Sequence, residues 1–173
     1  VRRCGKSTLL KQLIKQLGNA PYFNLEDQRL TSFELSDFEK LEGIFSEIYE
    51  KTKYCFLDEV QNIEGWERYV RAKQDSGIKF FITGSNASML SKELGTKLTG
   101  RYLSYELFPF SFSEFLEFIK EKPSKDSFEK YINEGGFPEY LRFKNPEILR
   151  QTFNDILLKD IVVRYNLKDV KVL

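Results

Sequence analysis

Gly5-Lys6-Ser7-Thr8 and Tyr54-Cys55-Phe56-Leu57-Asp58-Glu59 decide how this chain is read. The first stretch opens a segment in which Leu9, Leu10, Leu13, Ile14 and Leu17 recur at helical spacing. A helix start presents unpaired backbone N–H groups and the positive end of the dipole, and both suit phosphate oxygens. Gly5 permits close backbone approach, Lys6 brings an ammonium, and Ser7 and Thr8 bring hydroxyls. The second stretch is a continuous apolar run ending in two carboxylates, as expected for a strand buried on both faces of a parallel sheet. The complete loop pattern is G-x-x-x-x-G-K-[ST], so its first glycine is expected immediately before Val1, with the feeding strand before that. A surface helix beginning GKST and a strand ending in two solvated acids are the plain alternatives. The conjunction favours function, because two helices and one strand lie between Ser7 and Asp58, which suits neighbouring loops at one edge of one sheet.

Outward from these stretches, helix and strand alternate. Gly18-Asn19 and Pro21 stop the first helix, and Tyr22 to Leu25 reads as a short strand. Ser36 with Glu39 predicts a capping box for a helix whose face is Phe38, Leu41, Phe45, Ile48 and Tyr49. Trp66 to Gln74 predicts a helix ended by Gly77, and Ile78 to Thr83 a second buried strand leading into the polar turn Gly84-Ser85-Asn86. A short helix is expected around Met89, Leu90 and Leu94, and a further strand over Tyr102 to Phe108. This is the pattern of an α/β fold with a parallel sheet flanked by helices. After Pro109 the pattern turns helical: a capping box at Ser111 and Glu114, then the stripe Phe112, Phe115, Leu116 and Ile119. A helix over Phe128 to Ile132, a turn at Gly135-Gly136-Phe137-Pro138 and a long helix from Pro146 to Tyr165 follow. The expected domains are an α/β core over 1–110 and a small helical lid over 111–173.

The 173 residues, 41% hydrophobic, suffice for one core with a small appended lid. The absence of histidine excludes a Ser-His-Asp triad, a Cys-His pair and His-ligated zinc within these residues. Chemistry must rest on carboxylates, Lys, Arg, hydroxyls or a bound metal. Cys4 and Cys55 have no metal-ligand spacing and read as reduced thiols of a cytoplasmic protein, Cys55 as a small core residue. Lys and Arg (27) balance Asp and Glu (26), which gives little support for a nucleic-acid surface. No apolar run of about 18 or more residues indicates a membrane span. Sixteen Phe, many between Tyr102 and Phe118, predict a packing hub there.

Candidate site residues follow from the chemistry. Lys6 would neutralise phosphate charge, and Ser7 and Asp58 would hold Mg2+. Glu59 would orient or deprotonate an attacking water. In Thr83-Gly84-Ser85-Asn86 a polar side chain, Ser85 or Asn86, would reach the terminal phosphate or the water; ordinary turn chemistry explains the same residues equally well. Arg2 and Arg3 lie within the loop and contact phosphates, a neighbouring subunit or solvent. Arg101 is the candidate charge-stabilising arginine, against the commoner reading of a surface arginine at a strand start.

At these residues the chain resembles the AAA+-related P-loop ATPases of archaea and bacteria. The carriers are Arg2 to Leu10, Leu25-Glu26-Asp27, Leu57 to Asn62 with Trp66-Glu67, Phe81 to Asn86, Leu98 to Arg101, Phe108 to Phe115, Gly135 to Glu139 and Lys159 to Tyr165. The resemblance implies a P-loop NTPase core with a helical lid, ATP and Mg2+ as cofactors, a functional Arg101, and a Pro138 that approaches the nucleotide. It also implies a further C-terminal domain beyond Leu173. The expected function is hydrolysis of ATP to ADP and phosphate to drive a conformational switch, with a second copy or a protein partner completing the site. The alternatives are a non-hydrolysing nucleotide-dependent switch and an ATP-dependent DNA-associated protein.

Overall fold

The computed structural model describes residues 2–49, 52–85, 95–98 and 100–158. They form two compact units: Lys6–Tyr105, and the described part of Val1–Gly5 with Glu106–Leu173. In sequence the units meet at Gly5–Lys6 and at Tyr105–Glu106.

The first unit is built on three parallel strands, β1 (Tyr22–Asn24), β2 (Tyr54–Asp58) and β3 (Lys79–Ile82), in the order β1-β2-β3. Phe56 pairs with Tyr22 on one side and Phe81 on the other, and Asp58 pairs with Asn24. Successive strand side chains face opposite ways. Accordingly Phe56, with Tyr22, Tyr54 and Phe81, packs under α1 (Lys6–Leu17) through Leu10, Leu13 and Ile14, with Ala20 from the connection that follows. Cys55 and Leu57, with Phe23, Phe80 and Ile82, join Phe38, Leu41, Trp66, Val70 and Leu98 on the other face. Those partners come largely from α2 (Asp37–Ile48) and α3 (Trp66–Asp75). Helices on both faces are what the unbroken apolar run of β2 requires, and the expected α/β fold is present.

Two expectations for the residues up to 108 need correction. Ser36 makes no side-chain cap on α2, because its backbone is already helical (φ −63, ψ −24) rather than extended as a capping serine needs to be. Tight turns from Asp37 N–H to Glu34 O and from Phe38 N–H to Leu35 O start the helical path earlier, and Asp37 Oδ2 accepts from Glu34 N–H instead. Residues 102–108 do not form a strand. Alternation makes a strand only where a neighbour supplies hydrogen bonds, and among the described residues none runs beside them. Leu103 and Tyr105 are 83% and 86% exposed, so the expected aromatic hub does not begin until Phe110. The expected helix around Met89, Leu90 and Leu94 lies outside the described residues.

The second unit is helical: α4 (Phe112–Ile119), α5 (Lys125–Glu134), α6 (Pro138–Phe143) and α7 (Pro146–Asp155). The capping box forms as expected, with Glu114 N–H donating to Ser111 Oγ (3.4 Å) and Ser111 N–H to Glu114 Oε2 (2.8 Å). Phe115, Leu116 and Leu141 are its core, with Phe110, Phe112, Ile119, Tyr131 and Tyr140 around them. Gly136 must be glycine, since a Cβ would stand 2.1 Å from the Phe110 carbonyl oxygen. Pro138 ends no turn but opens α6 at its first position, where its missing N–H costs nothing. The helix expected to run to Tyr165 is α-helical over Pro146–Asp155 and continues as a wider π turn over 156–158, and residues past 158 lie outside the described part. No described helix is long and apolar enough to cross a membrane.

Candidate functional site

Asp58 ends β2 and is 1% exposed. One carboxylate oxygen accepts from Tyr22 Oη–H (2.7 Å) and the other from Thr83 Oγ1–H. Its backbone oxygen accepts from Leu25 N–H (2.9 Å). Burial, the hydrogen bond to Asp58 and the charges of Asp58 and Glu59 raise the Tyr22 phenol above its ordinary value, so it stays a donor. No ion pair to Asp58 forms among the described residues. A buried carboxylate that accepts from neutral hydroxyls suits a hard cation bound through oxygen. Among the described residues no three acidic or sulfur ligands converge on one point. A single buried carboxylate is a donor that fits Mg2+, which keeps water and phosphate oxygens and takes few protein ligands.

Glu59 follows in the left-handed region (φ 55, ψ 47), a conformation that costs a non-glycine residue and recurs at functional turns. Several contacts hold it there. Its N–H donates to Thr83 Oγ1 (3.2 Å), and Val60 N–H donates to Thr83 O (3.1 Å). Glu59 Oε2 accepts from Ser85 N–H (3.0 Å) and from Gln61 Nε2 (2.7 Å). Val60 is fully buried and anchors the turn in the core. The structure thus joins Asp58, Glu59 and Ser85 through Thr83 and Gln61.

Tyr22, Thr83 and Gln61 were not singled out by the sequence. Tyr22 opens β1, Thr83 follows β3 directly and Gln61 lies three residues past β2, so their meeting at Asp58 and Glu59 becomes visible only once the strands are in register. Asn86 lies outside the described residues.

Gly5 is left-handed (φ 99), with open space where a Cβ would be, so the backbone angle and not crowding calls for glycine. Lys6, Ser7 and Thr8 open α1, whose first turn holds no acid. Of the alternatives for Arg3, the described contact is an ion pair with Glu139 (2.6 Å), the residue after Pro138 in the second unit. Cys4 is buried, and its thiol donates to Leu107 O (3.3 Å).

Arg101 pairs with Asp75 (2.5 Å), the last residue of α3. Since α3 returns from the end of β2 to the start of β3, this pair stands at the strand-start edge, opposite Asp58. Arg71, Thr96, Lys97, Leu98 and Arg101 line a cavity of about 120 Å³ there.

The family model of the AAA domain matches residues 1–116. An uncharacterized protein of Methanocaldococcus jannaschii is 39% identical, over 100% of this chain and 44% of its own length. An uncharacterized protein of Haemophilus influenzae is 36% identical, over 100% of this chain and 47% of its own. This chain thus spans less than half the length of either relative. No solved structure matches it significantly. With that family match over most of its residues and a parallel sheet whose central strand ends at Asp58, the chain belongs to the AAA-domain family of P-loop ATPases.

Proposed function

We propose that the protein is a Mg2+-dependent ATPase, with a nucleotide-binding core over 1–110 and a helical lid over 111–173. The observation that carries this is the buried Asp58 at the end of β2, its carboxylate bonded to the Tyr22 and Thr83 hydroxyls, on the sheet that α1 covers. Leu10 shares a buried cluster with Phe56. Lys6 lies one helical turn before Leu10, about 6 Å, and Asp58 two strand residues beyond Phe56, about 7 Å. Because α1 enters β1 through the short connection 18–21, it runs against the strands, and both steps lead toward the same edge.

In this reading Lys6 meets the β- and γ-phosphates, and backbone N–H groups of Gly5, Lys6, Ser7 and Thr8 cradle them. Mg2+, held by Ser7 and Asp58, would neutralise charge on the phosphate oxygens. Glu59 takes the proton of the attacking water, and Ser85 fixes the Glu59 carboxylate through its N–H. Asn86 senses the γ-phosphate. Arg101, at the far edge, serves the nucleotide of a second copy rather than its own, which favours a homo-oligomer. Pro138 approaches the nucleotide from the lid. Hydrolysis to ADP and phosphate changes what the loop holds and drives the switch.

ATP titration and turnover by the complete protein test this. Lys6→Ala should weaken ATP binding by at least about tenfold with the fold retained, and Glu59→Gln should bind ATP and stall. Unchanged binding by Lys6→Ala would reject the site.

A further inference from the structure

Gln61 belongs to the 3-10 turn Val60–Asn62 that follows the left-handed Glu59. Its side-chain amide reaches two partners: Nε2 lies 2.7 Å from Glu59 Oε2 and 3.2 Å from Ser85 Oγ. A carboxylate oxygen only accepts, so the NH2 end of the amide is the end that faces it. That orientation turns the Gln61 carbonyl oxygen away, and it is buried and accepts no hydrogen bond from any described residue. A residue kept only to pack or to cap a turn gains nothing from a buried, unpaired carbonyl. The arrangement makes sense where the other end of the amide is what the site needs. That end links Glu59, the residue after β2, to Ser85 in the turn after β3, beside the Ser85 N–H that bonds the same carboxylate oxygen.

We propose that Gln61 is a positioning residue for the hydrolytic step. Its NH2 group, together with the Ser85 N–H, sets the direction of the Glu59 carboxylate, so Gln61 acts through Glu59 and not on the nucleotide. The proposal rests on the ATPase reading above. The step itself is the ordinary one: water adds through oxygen to the γ-phosphorus, the bond to the β,γ-bridging oxygen breaks with its electron pair going to ADP, and the water proton passes to Glu59.

Kinetics of Gln61→Ala and Gln61→Glu in the complete protein test it. Gln61→Ala should lower kcat by at least about tenfold while ATP affinity stays within about twofold of the parent. Gln61→Glu keeps the shape but puts an acceptor where the NH2 group donates, so kcat should again fall by at least about tenfold with ATP affinity within about twofold of the parent. A purely structural role would lower stability and leave the kcat of the folded enzyme in place. A kcat of either variant within about twofold of the parent overturns the proposal. If the parent itself has no turnover, the ATPase reading has failed, and the tie between the residues is decided separately. Urea midpoints of Glu59→Ala, Gln61→Ala and the double variant then serve: non-additive shifts uphold the tie, and additive shifts overturn it.

Discussion

The Thr83 hydroxyl serves two residues at once, donating to Asp58 and accepting from the Glu59 N–H. Thr83→Val keeps the shape, strips both bonds and leaves a 1% exposed carboxylate one donor short. It should cost about 1–3 kcal/mol in urea denaturation, and Thr83→Ser should restore most of that. Tyr22 makes a different prediction. Its phenol is raised above the ordinary value of 10.0, mainly by burial and then by Asp58. A raised group contributes stability that is complete below its unfolded value and is lost as pH rises toward its folded one. The protein should therefore hold its stability up to about pH 10 and lose part of it above that. Tyr22→Phe should show a shallower alkaline decline, although Tyr69, raised chiefly by burial, leaves some of it in place. Equal slopes for parent and variant would remove Tyr22 from the account. Cys55, pushed up to about 12 by burial, is an inert core thiol, as its place in an apolar strand suggested. Tyr22 and Thr83 themselves were not legible, because a lone tyrosine or threonine at a strand end has too many ordinary explanations.

At the level of elements, hydrophobic periodicity located α1, α2, α3, α4 and all three strands, since burial on one or both faces writes itself into the spacing. Capping was harder. The same S-x-x-E pattern occurs at Ser36 and Ser111, and only Ser111 has the extended backbone (φ −63, ψ 167) that points its hydroxyl at the helix N–H groups. Ser111→Ala should therefore cost about 1 kcal/mol, and Ser36→Ala close to nothing, in thermal or urea unfolding. Equal losses would mean that Ser36 does cap α2. The segment 102–108 shows the opposite weakness of pattern reading: its alternation is real, but a strand needs a neighbour, and no count within the segment reveals whether one is present.

For the molecule as a whole, the Gly5-Lys6-Ser7-Thr8 and Asp58-Glu59 pair announced the family, because two short patterns at the right separation are far rarer than either alone. The grouping of residues 2–5 with the helical unit, and the Arg3–Glu139 ion pair within it, could not be read, for they join residues far apart in the sequence. The central claim is that Lys6, Ser7 and Asp58 share one magnesium–triphosphate. Its most direct measurement is ATP affinity with and without Mg2+ for the complete protein and for Asp58→Asn. Mg2+ should tighten ATP binding to the parent by about tenfold or more, and Asp58→Asn should keep the metal-free affinity but lose the increment. An Asp58→Asn variant that answers Mg2+ as the parent does would contradict it.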